Sequence, residues 1–109
     1  MIGSHSPQET AQRIHECVAS GLERLPSNLR DWAMPHIISP RVVVLFINLT
    51  SLETEEFWLI TDATGTNDSS YRVIYTEDLD SFGLSVILEG GRDCCLGFCG
   101  DFDKAIQSM

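Results

Sequence analysis

The sequence predicts an α+β domain with two N-terminal helices, a mainly antiparallel five-stranded meander sheet and a short C-terminal helix. Three observations predict it. Up to about residue 34 the apolar side chains recur at helical spacing. From Pro40 onward they alternate, and the runs are rich in β-branched and aromatic residues. The connections between those runs are short, which favours antiparallel neighbours over a βαβ rhythm. At 109 residues the chain has the length of one domain, long enough to bury roughly two-thirds of its unfolded surface. Residues 1–8 read as a flexible tail, with no role for His5, and residues 9–109 as the single domain.

Residues 7–25 form the first predicted helix. Thr10 is a candidate cap and Glu9 sits at the positive end of the dipole. Ala11, Ile14, Val18, Leu22 and Leu25 make one apolar stripe. Gly21 weakens the last turn by about 1 kcal/mol relative to alanine, and Pro26 ends the helix. A second helix is expected over 27–34, capped by Ser27, with Leu29, Trp32 and Ala33 turned inward and Pro35 disfavouring its continuation.

Five strands follow, over 41–50, 56–61, 71–76, 82–88 and 94–99. Gly90 and Gly91 supply the positive φ angles of a two-residue hairpin turn, which places Glu89 opposite Arg92 as a favourable pair. Asp101 can cap the terminal helix, whose Phe102, Ala105 and Ile106 face the core. In the fourth strand Phe82, Leu84, Val86 and Leu88 share one face, while Gly83 and Ser85 share the other. In the stretches 42–47 and 57–60 both faces are apolar. Strands of that kind are normally covered on both sides, and three short helices can cover only one face of a five-stranded sheet. An uncovered apolar face marks an association site, and a second copy of the chain is the simplest occupant.

Composition excludes several functions. Seven basic and sixteen acidic side chains give a net charge of −9, and the basic residues are scattered along the chain, so direct nucleic-acid binding is disfavoured. A basic protein partner fits that charge better. The most apolar run is far shorter than the roughly 20 residues a membrane helix needs, and the N-terminus carries no secretory pattern. The expectation is a cytoplasmic protein that does not engage membranes and keeps reduced thiols.

No motif for chemistry emerges. Cys94, Cys95 and Cys99 cluster, but on a strand Cys94 and Cys95 point to opposite faces, and Cys95 and Cys99 stand about 13 Å apart. They do not converge on one zinc ion and read as apolar thiols. His15 lies beside Glu16 on a helix, where neighbours do not face each other. His36, in a connector near Asp31 and Trp32, lacks a nucleophile to serve. Gly90-Gly91 leads into a strand, unlike phosphate-cradling loops, which open a helix. The carboxylates Glu53, Glu55 and Glu56, and separately Glu77, Asp78 and Asp80, read as solvated turn residues.

The best candidate loop is 62–70, which is longer than closure of two strands requires. Its Asp62, Thr64, Asn67 and Asp68, with Tyr71 and His36, form the candidate binding set. Their spacing does not match a calcium loop, and no metal or cofactor is expected. The sequence thus suggests a non-catalytic association module, homodimeric through its apolar sheet face. Two alternatives are an acidic inhibitor or immunity-type protein covering a basic partner such as a nuclease, and a small-ligand domain using the 62–70 loop.

Overall fold

Helix α1 (Pro7–Arg24) carries its apolar stripe inward: Ile14 and Val18 are buried and Leu22 is half-buried, packed on the same cluster. The computed structural model describes residues 7–48, 50–61, 71–87 and 93–108. After α1 come α2 (Ser27–Ala33), a 3-10 turn (Met34–His36), β1 (Ile37–Asn48), β2 (Glu53–Thr61), β3 (Tyr71–Thr76), β4 (Ser81–Ile87), β5 (Asp93–Gly100) and α3 (Phe102–Gln107). The Gly90-Gly91 turn and the Glu89–Arg92 pair lie outside the described residues.

The expected helices and five strands are present, and β1 to β5 follow one another in antiparallel order. The sheet is not an open meander, however. It closes into a barrel, because β1 also meets β5 in parallel at Phe46 and Cys94. Closure changes what covers the apolar strands. Leu45, Phe57, Leu59 and Ile74, with Ile38, Val43 and Cys95 against them, form a cluster made of strand residues alone, which is the barrel interior. Trp58, Ile60, Val73, Tyr75, Phe82 and Leu84 point the other way and pack on Ile14, Val18, Leu25, Ala33, Phe102 and Ile106 of the helical layer.

From Phe57 to Thr61 β2 is therefore sealed on both faces within one subunit, and the expectation of a bare second sheet face does not hold for that stretch. β1 differs. Its inward Val43 and Leu45 join the interior, while Val42 and Val44 on the alternate face are 44% and 61% exposed. The strand begins at Ile37 and includes Pro40, whose missing N–H coincides with the irregular register between Ile37 and Arg41.

Two glycines make close approaches possible. Gly21 is buried where α3 crosses α1, and a β-carbon there would lie 3.0 Å from the Phe102 side chain. Its role is contact, not a frayed turn. Gly83 lies under the bend in β5, where a β-carbon would come within 2.2 Å of the Gly97 carbonyl oxygen. Gly83 and Ser85, expected on a mixed face, are both buried.

Three smaller expectations are corrected. Thr10 is not the cap of α1: the helix begins at Pro7, and the Thr10 hydroxyl donates to Glu77 Oε1 at 3.0 Å. Pro26, not Ser27, precedes α2 as its cap residue, without a side-chain bond. Trp32 does not turn inward but is 38% exposed, its ring 5.3 Å from that of His36. Asp101 does occupy the cap position of α3, though its side chain makes no capping bond, and Phe102, Ala105 and Ile106 are buried as expected.

Candidate functional site: an acidic cleft beside the β3–β4 turn

Residues 77–80 connect β3 to β4 around a turn in which Asp80 N–H donates to the Glu77 carbonyl at 3.2 Å. Such a loop needs a residue at positive φ, and Asp80 provides it at φ 46°. Aspartate tolerates this region better than most side chains but still at some strain. Its carboxylate is held in compensation. Arg13 Nε donates to Asp80 Oδ1 at 3.0 Å, Arg13 Nη2 pairs with Oδ2, and the Tyr75 hydroxyl donates to Oδ1 at 2.5 Å. The turn carboxylates are thus not uniformly solvated: Asp80 fastens the turn to α1, and Glu77 is half-buried under Thr10.

This contact is flanked by clefts. One, of about 430 Å³, is lined by Glu9, Thr10, Arg13, Tyr75, Glu77 and Asp80. A second, of about 170 Å³, shares Tyr75 and Glu77 and adds Glu55, Glu56, Trp58, Thr76 and Asp78. A third, of about 280 Å³, continues along α1 past Cys17 toward Arg24 and Phe102. The first two hold six carboxylates against the single guanidinium of Arg13, and that one is engaged by Asp80. Two buried polar atoms here have no hydrogen-bond partner, Glu77 Oε2 and Trp58 Nε1.

The electrostatics oppose acid–base work. The Arg13 guanidinium and the Tyr75 hydroxyl hold the Asp80 carboxyl below its ordinary range, which makes it a weak base. Burial, reinforced by Asp80, pushes the Tyr75 phenol well above its ordinary value, so it stays protonated near neutrality. Neither group is poised near pH 7, where a general acid or base works best. Burial likewise pushes the Cys17 thiol up, away from the reactive thiolate. The arrangement suits binding of positive charge.

The sequence-derived set falls elsewhere. Asp62, Thr64, Asn67 and Asp68 lie outside the described residues. Tyr71 opens β3, half-buried and opposite Val86. His36 is half-buried and precedes Ile37, which stands opposite Thr61, the residue before the 62–70 loop. His36 and Tyr71 thus both adjoin strand ends that the loop connects, and neither lines the three clefts.

That same end of the barrel holds an ion pair, Arg72 with Asp93, directed into the interior beside Ser85. Burial, and secondarily the charge of Arg41, lowers the Arg72 pKa. Cys95 packs with the interior and Cys99 with the helical side, so the thiols diverge as the strand geometry requires. No group of three His, Cys, Asp or Glu suited to a metal occurs among the described residues, and no helix there is long and apolar enough to cross a membrane.

The cleft could not be read from the sequence because its parts come from residues 9–13, 55–58 and 75–80. The one signal was the count of carboxylates near the third hairpin. No protein-family model, no curated protein and no solved structure matches the chain.

Proposed function

We propose that the chain is a non-catalytic association module that pairs with a second copy through the outer face of β1. The observation that carries this reading is the exposure of Val42 and Val44 on a strand whose other face is core. Leu96 is a separate exposed apolar side chain. It is 54% exposed on β5, but the parallel register sets it past Phe46, toward the Asn48 end of β1, and so apart from the two valines. Contiguous exposed apolar side chains mark association sites, and covering the exposed half or so of each valine is worth roughly 1 kcal/mol. A two-fold axis lets one patch cover its own copy.

Sedimentation equilibrium tests this. Two acidic copies repel, so an apolar dimer should strengthen as salt screens them, and Val44→Lys should yield monomers with an unchanged circular dichroism spectrum. A strict monomer at tens of micromolar in high salt overturns the reading.

A second reading is favoured by a different observation, the six carboxylates around the two clefts at Glu77. In it the protein is an inhibitor or immunity-type module that covers a basic partner. That association would weaken with salt, the opposite of the dimer.

A further inference from the structure

We propose that the two clefts meeting at Glu77 receive an arginine side chain presented by a basic protein partner. The guanidinium would lie against Glu77 and its neighbouring carboxylates, and a carbonyl of the same segment would accept from Trp58. The proposal rests on the second reading above and assigns residues to it.

Charge alone would not single out these clefts, since acidic side chains occur all along the surface. The polar atoms left without partners do so. Trp58 is 6% exposed and is one of the side chains lining the second cleft, and its buried Nε1–H has no acceptor. Glu77 accepts from Thr10 through Oε1, while Oε2 is buried without a donor. An unmatched buried donor or acceptor costs about 1–3 kcal/mol, more when charged. These two are complementary in kind, and both belong to side chains that line the same small cleft.

Their chemistry restricts the ligand. A bare metal ion would satisfy the carboxylate and leave the indole N–H unmatched. An anion would satisfy the indole and be repelled by the carboxylates. A peptide segment carrying a cation supplies both a donor for Glu77 and a carbonyl for Trp58. Arginine fits better than lysine. Its planar fork donates to two carboxylate oxygens at once and is more weakly hydrated, and Glu77 stands between two spaces that can take a flat group from either side. Arg13 is committed elsewhere, because two of its three guanidinium nitrogens, Nε and Nη2, donate to Asp80.

The structure supplies its own reporter. The chain has two tryptophans, Trp58 in the cleft and Trp32 on α2. Titrating the ¹⁵N-labelled full chain with a blocked glycine–arginine–glycine peptide should move the Trp58 indole resonance and leave that of Trp32 in place. The isosteric citrulline peptide should move neither. Glu77→Gln keeps an oxygen for Thr10 and should weaken binding about tenfold, the loss of one charge-assisted hydrogen bond. Glu23→Gln, exposed on α1 away from the clefts, should leave binding unchanged. If Glu77→Gln does not fold, the exposed Glu9→Gln should weaken binding in its place.

Equal shifts with citrulline, no Trp58 shift at millimolar peptide, or equal losses at Glu23 and the cleft glutamate would each overturn the assignment. Polyarginine separates that failure from a deeper one. Salt-sensitive binding of polyarginine without a Trp58 shift removes the cleft and keeps the acidic-surface reading. No binding of polyarginine at low salt removes both.

Discussion

Tyr75 and Asp80, five residues apart, close the β3–β4 connection on itself through a hydroxyl–carboxylate bond of 2.5 Å. The tyrosine ring is at the same time a core group, 4.9 Å from the ring of Phe82. One side chain thus joins the hydrophobic layer to the surface turn, and Arg13 extends the connection to α1. The turn beside the cleft is held from two directions before any ligand arrives.

Tyr75→Phe keeps the ring packing and removes the bond, and should destabilise the fold by about 1 kcal/mol in urea titrations. In the unmutated protein Tyr75 should resist ionisation when the pH passes the ordinary phenol value of 10. Absorbance at a phenolate wavelength reads this directly, and full titration of Tyr75 near that value would contradict it.

Asp80 predicts an acid dependence of stability. Its folded pKa lies below the ordinary 3.8, so its contribution is fully present above that value. It is lost as the pH falls through the lower native one. Arg13→Met removes the leading cause of the depression and should flatten the acid limb of the stability curve. Both side chains are about half exposed, so added salt should shrink the effect as well.

Gly83→Ala should lower stability by about 3 kcal/mol, at the upper end for overpacking. The new methyl would meet the Gly97 carbonyl at 2.2 Å and the Phe98 ring at 2.7 Å. The carbonyl belongs to the backbone of β5 and cannot step aside alone. A fully folded variant with unchanged thermal midpoint would show that β5 bends elsewhere.

Arg72→Met should destabilise the barrel by about 3 kcal/mol, because it leaves the Asp93 carboxylate without its counterion in a mostly buried setting. Arg72→Met combined with Asp93→Leu should recover most of that loss. A double variant no better than the single one would mean that packing, not charge, accounts for the effect.

Much of this architecture was legible in the chain. Ile14, Val18 and Leu25 fix α1 by their spacing, and the alternation around Phe82 and Leu84 fixes the helix-facing side of β4. The apolar run on both faces of 57–60 matches a stretch covered on both sides, whereas in 42–47 only the inner face is covered and Val42 and Val44 stay exposed. What covers the inner side was invisible, because closure depends on Phe46 meeting Cys94 across 48 positions, and no local pattern encodes such a meeting. Trp32 misled for a related reason: its position on the stripe suits burial, but its ring finds His36 at the surface. The cleft escaped notice because Glu77 and Asp80 look like ordinary turn carboxylates until Thr10 and Arg13 arrive from 67 residues away.

The pairing of β1 with β5 has a consequence for how the molecule is made. The first strand must wait for the fifth before its free edge finds a neighbour, and contacts so distant in sequence form slowly. During synthesis Leu45, Phe57 and Leu59 are all in place well before Cys94 and Cys95 emerge, and for that interval the future interior is an open trough. Slowed translation beyond residue 60 should therefore raise aggregation of the nascent chain, whereas refolding from denaturant, with every strand present at once, should escape that penalty.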